Sequence, residues 1–321
     1  MTPLVSPDPV PPAVAAPVGV ARRRPGRART FVGQVLSRND GRVGLLILVV
    51  FAVLAMFPDL FVGKLETATT ATGQSLQPPG GRYLFGTDEL GRDVLNMTFH
   101  GARISMAIGL MATLITVLFG ALLGIIAGYV GGRTDTVIMR ISDFFLVLPT
   151  IVLAIILAPV ILDVVGADAE LFGIRATMIV IVVVIGLTSW ATTARIIRSQ
   201  VLSIKMRMFV DRARVIGSGP GRIMRRHVLP NVINLIVAQA VLTFAVAVFT
   251  ETTLAFIGLG DPFAPSWGQI LNAAQSAGAP GLGAWWYIAP PAVCVVLVVL
   301  AFTLVGNALD DVLNPKSGAR R

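Results

Sequence analysis

The stretch ATMIVIVVVIGLTSWATTA, residues 176–194, has no charged side chain and is long enough to cross a lipid bilayer as a helix. The connection that follows it, residues 195–230, carries nine Lys or Arg side chains. An apolar run followed by a basic connection is typical of membrane proteins, whose basic loops stay in the cytoplasm. The same alternation recurs along the chain.

The composition agrees with a membrane location. Hydrophobic residues occupy 55% of the 321 positions and charged residues 13%, whereas soluble domains average ~25% charged residues. This excludes a soluble domain, a disordered chain and a collagen-like fibre. One cysteine, Cys294, and two histidines distant in sequence exclude a disulfide framework and indicate no metal site. We therefore predict neither catalytic nor metal-binding residues.

Six segments are apolar over roughly the length that a spanning helix needs. They lie at 44–62, 104–130, 141–162, 176–194, 232–257 and 284–309. None alternates with the period of two that the strands of a membrane barrel require. The sequence therefore predicts an all-α polytopic membrane protein with six transmembrane helices.

The Lys and Arg residues are distributed unevenly between the connections. With a cytoplasmic N-terminus, 21 of the 26 fall on the cytoplasmic side, and the five on the other side are Lys64, Arg82, Arg92, Arg103 and Arg175. Because basic loops are retained inside, we predict a multi-pass protein of the cell membrane with both termini cytoplasmic. The net charge of +9 then reflects topology, and we expect no nucleic-acid partner.

The spans divide the chain into four parts. We predict a disordered basic cytoplasmic tail at 1–42, near anionic lipid headgroups. The first transmembrane helix and a long external segment occupy 43–103, and five helices form the core at 104–309. A short cytoplasmic tail follows at 310–321.

The connection 195–230 is far longer than the 2–8 residues that usually join two helices. Glycine and proline at 217–221 predict a helix, a break and a second helix. By composition alone, a basic loop that only fixes topology remains the alternative.

Six residues of this connection resemble the EAA motif of ABC-importer permeases: Asp211, Arg212, Ala213, Gly217, Leu229 and Pro230. The spacing of the motif is kept, although Asp, Arg and, at His227, His replace its usual Glu, Ala and Ile. The resemblance implies a coupling helix that fits a cleft of the ATP-binding subunit. The first four residues would lie at that contact, and the Leu-Pro pair would fix the entry into the fifth span.

Further strings resemble the C-type permease of dipeptide and oligopeptide importers. They lie at 85–94 and 101–105, at 131–149, and at 251–268. The resemblance implies that external residues contact a substrate-binding protein. The candidates are Asp88, Glu89, Arg92, Pro265 and Trp267.

These residues also have structural interpretations. Asp88 is suited to capping a short helix, and Arg140 can pair with Asp143 across one helical turn. Four aromatic residues are typical of an interfacial belt. They are Trp267, Trp285, Trp286 and Tyr287.

Two residues are candidates for the translocation path or its gate. Glu251 is acidic within an apolar run, where ionisable groups are costly and often functional. It lies near the external end of its span, so a local cap or pair is an equal alternative. Pro149, together with Pro159, predicts a kink in the third span.

The resemblance implies the fold of a type I ABC importer permease with a cytoplasmic coupling helix. The chain has no glycine-rich loop ending in Lys-Ser/Thr, so we expect ATP and Mg to bind partner ATPase subunits. The implied partners are a second permease, one or two ABC ATPases, a substrate-binding protein and a dipeptide or oligopeptide.

Other functions fit the sequence less well. Nickel chelates and other small solutes remain alternative cargoes within the same family. An ion-gradient-driven transporter predicts repeats and several ionisable groups inside the membrane, and we find no repeat and only Glu251 well inside a span. An intramembrane enzyme needs a nucleophile or metal set that the sequence lacks.

Overall fold

The computed structural model describes residues 33, 36, 38–166, 169–171 and 174–313. Most of the predicted tail 1–42 and residues 314–321 lie outside the described residues. The helices are α1 (Asn39–Met56), α2 (Pro58–Val62), α3 (Val94–Val130), α4 (Gly132–Val147), α5 (Thr150–Val165), α6 (Ala176–Lys205), α7 (Met208–Val215), α8 (Pro220–Ile223), α9 (Leu229–Leu254), α10 (Trp267–Ser276) and α11 (Trp285–Leu313). Two short antiparallel strands, β1 (Glu170–Leu171) and β2 (Ile174–Arg175), precede α6.

Among the described residues, five helical stretches are long and apolar enough to cross a membrane: α1, α3, α6, the continuous stretch Pro220–Leu259, and α11. The third apolar run, predicted at 141–162 as one kinked span, has a sharper bend. It forms α4 and α5, which are bent by 95° at Leu148 and Pro149. Proline lacks an N–H donor and disfavours helical geometry in the residue before it, and Leu148 is accordingly extended (φ −83°, ψ 131°). Pro159, by contrast, lies inside α5 without ending it.

Helix α3 begins ten residues before the predicted start of the second span. The Asp93 side chain caps it by accepting from the N–H of Leu95 at 2.8 Å. Arg103, inside the helix, donates to the carbonyl oxygens of Ala55 and Met56 at 3.2 and 3.3 Å. The hydropathy pattern predicted that the span starts only after Arg103. Because the guanidinium has these acceptors, the helix accommodates the charge and extends back to Val94.

The centre of the fold is the seam between α3 and α6. Glycines recur every fourth residue on α3, at Gly120, Gly124 and Gly128. A Cβ at Gly124 would lie only 2.5 Å from the carbonyl oxygen of Ala194, so glycine is needed for this close approach. Small residues spaced in this way allow membrane helices to pack backbone to backbone.

The two ends of the bundle carry the candidate functional residues. We call residues 206–228, which contain α7, α8 and the π-helical turn Met224–Val228, the knuckle. We call residues 63–93 and 260–284, which contain α10, the cap. Helix α3 begins next to the cap and ends next to the knuckle.

Candidate functional site

The knuckle has the helix, break and helix that the sequence predicts. Gly217 follows the C-terminal end of α7, and its φ of +84° is costly for residues that have a Cβ. The N–H of Gly217 donates to the carbonyl oxygen of Arg214 at 2.9 Å, and the N–H of Ser218 donates to the carbonyl oxygen of Ala213 at 3.0 Å. This is the Schellman arrangement, which satisfies the last carbonyl groups of a helix. The break is therefore a defined turn.

The inner face of the knuckle is part of the hydrophobic core. Val210, Ala213, Ile223 and Val228 are buried in one cluster with residues of α3, α6 and α9. Ala213, predicted at a contact with the ATPase, is only 8% exposed. In this structure it packs against the membrane-spanning helices. Its small side chain allows α7 to lie close to them.

The outer face of the knuckle is apolar and unpaired. Met208, Val215 and Ile216 are largely exposed, at 72%, 88% and 83%. Asp211 accepts from Arg214 at 2.9 Å. Arg212, on the same helix, has no polar partner within the described residues. The sequence interpretation missed the apolar residues, although methionines and a Val-Ile pair within a basic loop were a visible signal.

Charged pairs hold the helices next to the knuckle. Asp135 of α4 accepts two hydrogen bonds from Arg198 of α6, at 2.5 and 2.6 Å. Asp143 pairs with Arg195 of α6. The predicted pair between Arg140 and Asp143 is therefore wrong: Asp143 reaches across to the neighbouring helix, which sequence spacing cannot reveal.

Leu229 and Pro230 lie at the start of α9, where Leu229 packs against the same core cluster. The chain passes from α8 into α9 without leaving helical geometry. Pro230 has no N–H to donate to the preceding turn. The π-helical turn Met224–Val228 accommodates this, since the N–H of Leu229 donates to Met224, five residues earlier.

The cap contains the predicted external residues, and Asp88 organises its main turn. Its carboxylate is fully buried and accepts the N–H groups of Leu90 and Arg92 at 2.9 and 2.8 Å, and the Nε of Arg92 at 2.6 Å. Glu89 lies 3.9 Å from the Arg92 guanidinium and is partly exposed. The interpretation of Asp88 as the cap of a short helix is wrong, since Asp88 closes a turn and the N-cap of α3 is Asp93. The Asp88 side chain is not available to a docked protein.

Trp267 begins α10 and is completely buried. Its indole N–H donates to the carbonyl oxygen of Thr98 at 3.0 Å, and its backbone N–H donates to Ser105 Oγ at 3.0 Å. The predicted aromatic belt is therefore wrong for Trp267 and for Tyr287, which is also buried. Trp285 is exposed, as a belt requires, and Pro265 is partly exposed in the loop before α10.

The N-terminus of α3 is tied to the cap by acidic groups. Glu66 accepts the N–H of Asp93 at 2.8 Å, and its own N–H donates to Asn96. Burial raises the pKa of Asp93 above its ordinary value, and the neighbouring Glu66 carboxylate adds to the shift. These contacts fix the first turn of α3 against the cap.

The two candidate path residues have different surroundings. Glu251 is fully buried, and its Oε2 accepts from Thr252 at 3.4 Å. The hydroxyl groups of Ser105 and Ser266 lie next to the Glu251 carboxyl group. Glu251 therefore lies where α3, α9 and the start of α10 meet. Pro149 is exposed at the bend between α4 and α5. Within the described residues, no group of three His, Cys, Asp or Glu side chains is arranged to hold a metal ion.

Comparisons with known proteins identify the family. The profile of the binding-protein-dependent transport system inner membrane component matches residues 120–318. The chain is 38% identical to the dipeptide transport system permease protein DppC of Bacillus subtilis, over 88% of this chain and 83% of that protein. It is 35% identical to the oligopeptide transport system permease protein OppC of the same organism, over 87% of each.

A solved structure has the same fold. The MetNI methionine ABC transporter, in an inward-facing conformation, aligns with a TM-score of 0.53 at 18% identity, covering 68% of this chain and 95% of the other. The predicted type I importer permease fold is thus confirmed. The chain belongs to the family of binding-protein-dependent transport system inner membrane components, the permease subunits of ABC importers.

Proposed function

We propose that this chain is the permease subunit through which an ABC importer moves dipeptides or oligopeptides into the cell. A paired permease would complete the translocation path. The support is that relatives named for dipeptide and oligopeptide transport match nearly nine-tenths of the chain. Because this similarity spans both the cap and the knuckle, it includes the surfaces on which other subunits would dock.

The outer face of the knuckle is the proposed contact with an ABC ATPase. It presents apolar side chains beside the exposed guanidinium of Arg212, on a short helix whose other face is buried in the core. A helix fixed in this way transmits a displacement better than a loose loop does. The 40-residue stretch Pro220–Leu259 begins inside the knuckle and continues through the fifth span, so movement of the knuckle would tilt that span.

In this mechanism the chain performs no chemical step. ATP and Mg would bind the partner ATPase subunits, which would be either two copies of one protein or two different proteins. Their closure would draw the knuckles of the two permeases together and open the path outward, and hydrolysis would return it to the inward-facing form. A substrate-binding protein would deliver the peptide at the cap, where Glu89 and Pro265 remain partly exposed.

We further propose that the protein lies in the cell membrane with both termini in the cytoplasm. The supporting observation is the excess of Lys and Arg on the knuckle side of the spans. A Val215→Cys variant should react with a membrane-impermeant maleimide only in inside-out vesicles. Labelling in right-side-out vesicles would reverse the topology.

Transport by the reconstituted complex tests the function. Proteoliposomes with both permeases, the ATPases and the binding protein should accumulate a labelled dipeptide only when ATP is present. This chain alone should accumulate none. Uptake by the single chain under an ion gradient would contradict the proposal. So would a complex that carries nickel chelates and ignores peptides.

A further inference from the structure

A cavity of about 190 Å³ lies beside the bend between α4 and α5. Residues of α6 and α9 form its walls, and the start of α5 forms its edge. Seven polar side chains line it: Thr150, Thr188, Ser189, Thr192, Thr193, Gln239 and Thr243. The described lining residues include no charged side chain, and the remaining ones are mostly apolar.

Five of the six polar side chains on the two walls differ from hydroxyl groups elsewhere in the bundle; the exception is Thr188, which donates to the carbonyl oxygen of Val184 at 2.9 Å. Thr113, Thr250 and Thr303 each donate to the carbonyl oxygen four residues earlier, at 2.7 to 2.8 Å. This internal bond is the usual way in which a hydroxyl is accommodated in a spanning helix. Five cavity side chains have no hydrogen-bond partner in the described part of the chain: Ser189, Thr192, Thr193, Gln239 and Thr243.

The position of these side chains argues against a lipid-facing role. Ser189 lies within the apolar run 176–194, and Gln239 lies within the apolar run 232–257. Facing lipid hydrocarbon, these side chains would find no hydrogen-bond partners, and an unsatisfied amide or hydroxyl is costly there. The spacings on α6 and α9 place the groups of each helix on one face. That face must therefore meet water, another protein or a transported molecule.

The bend adds backbone donors at the edge of the cavity. Helix α5 starts at Thr150, and its N-cap residue Pro149 provides no side-chain cap. The first N–H groups of a helix have no partner within that helix. Donors from the backbone, hydroxyl groups and the Gln239 amide thus surround one uncharged space.

We propose that this cavity is where the permease binds the backbone amides of a passing peptide, an inference that rests on the proposed function. Each amide has one donor and one acceptor, and Gln239 and the hydroxyls offer both. The absence of charge among the described lining residues means that the cavity does not select cargo by side-chain charge. Each neutral hydrogen bond contributes little net free energy, so the peptide binds weakly and can leave the cavity again.

The test compares uptake of two tripeptides by the complete reconstituted complex. One has ordinary amides, and the other carries N-methyl groups that remove the amide donors. The double variant Gln239→Leu with Thr243→Val should reduce uptake of the ordinary peptide about tenfold or more, since it removes two partners of the backbone. It should change uptake of the N-methylated peptide less than about twofold, because that peptide has fewer such bonds to lose.

Thr303→Val on α11 is the matched control. It removes a hydroxyl from a spanning helix, but that hydroxyl donates to Val299 and does not line the cavity. Uptake by this variant should equal that of the wild type. ATPase activity stimulated by the binding protein should be retained in all variants, which separates loss of cargo binding from loss of folding or docking.

The outcomes separate this inference from the proposed function. If the wild-type complex imports peptides and the double variant imports them equally well, the inference is overturned and the function stands. Equal losses for the ordinary and N-methylated peptides also overturn it. If the wild-type complex imports no peptide, both are overturned.

Discussion

The knuckle and the cap lie at opposite ends of the same helices and use their residues differently. The cap buries two of the side chains that organise it: Asp88 and Trp267 are fully buried. The knuckle buries one face and leaves Val215 and Ile216 exposed on the other. An exposed apolar patch marks an interaction surface. The knuckle therefore keeps an exposed apolar face on its first helix, whereas the cap buries the side chains that hold its turns together.

The difference follows from the backbone. The helices of the knuckle satisfy most of their own N–H and C=O groups, so their side chains are free for contacts. Much of the cap consists of turns, in which side chains must supply the missing partners. Asp88 and Thr87 do this within the loop, and Asn96 does so from α3 by donating to the carbonyl oxygens of Val62 and Lys64 at 2.8 and 2.9 Å.

The largest expected effect is on the cap. Asp88→Ala removes three hydrogen bonds and leaves the Arg92 guanidinium without its buried partner. We expect the free energy of unfolding to fall by about 3 kcal/mol, measured by denaturation in detergent. Glu89→Ala loses a contact of 3.9 Å to Arg92 and an interaction with the Tyr287 hydroxyl, and it should cost about 1 kcal/mol, clearly less than Asp88→Ala. Equal losses would mean that Asp88 does not organise the cap.

The second effect is on the knuckle and concerns binding. Val215→Asp places a charge on the outer face, and we expect the affinity for the ATPase subunit to fall about tenfold or more, with no change in unfolding. The affinity is measured by titrating the ATPase subunit into nanodiscs that hold the permease. Val164→Asp is the control, since Val164 is 83% exposed in α5, outside the knuckle. The docking proposal is wrong if both variants bind the ATPase alike.

The smallest effect tests the break in the knuckle. Gly217→Ala forces a residue with a Cβ into φ +84° and should reduce the free energy of unfolding by about 1 kcal/mol. Gly219→Ala is the matched control, because its φ is −66° and nothing lies within 4 Å of an added Cβ. It should leave stability unchanged or raise it slightly. A loss at Gly219 as large as at Gly217 would contradict the conformational explanation.

Local patterns predicted much of the fold. The apolar runs and the break at Gly217 depend on neighbouring residues along the chain. Hydropathy failed at the start of α3 because it scores Arg103 as a charge in isolation. In the fold, that guanidinium reaches the carbonyl oxygens of Ala55 and Met56.

The candidate site was predicted only in part. The motif resemblance selected the helix that carries the exposed apolar face, but it also selected Ala213, which is buried. Helical periodicity does not say which face of α7 meets the core until the positions of α3 and α6 are known. For the same reason the partner of Asp143 and the burial of Trp267 could not be predicted.

The sequence by itself determined the membrane class, the number of apolar runs, their charge asymmetry and the turn chemistry. These depend on transfer of side chains between water and lipid and on local backbone preference, which each segment carries alone. Only the tertiary structure decided the 95° bend, the face that α7 exposes and the unpaired polar cavity beside the bend. Each of these depends on which helices pack together, and that is set by contacts between residues far apart in the chain.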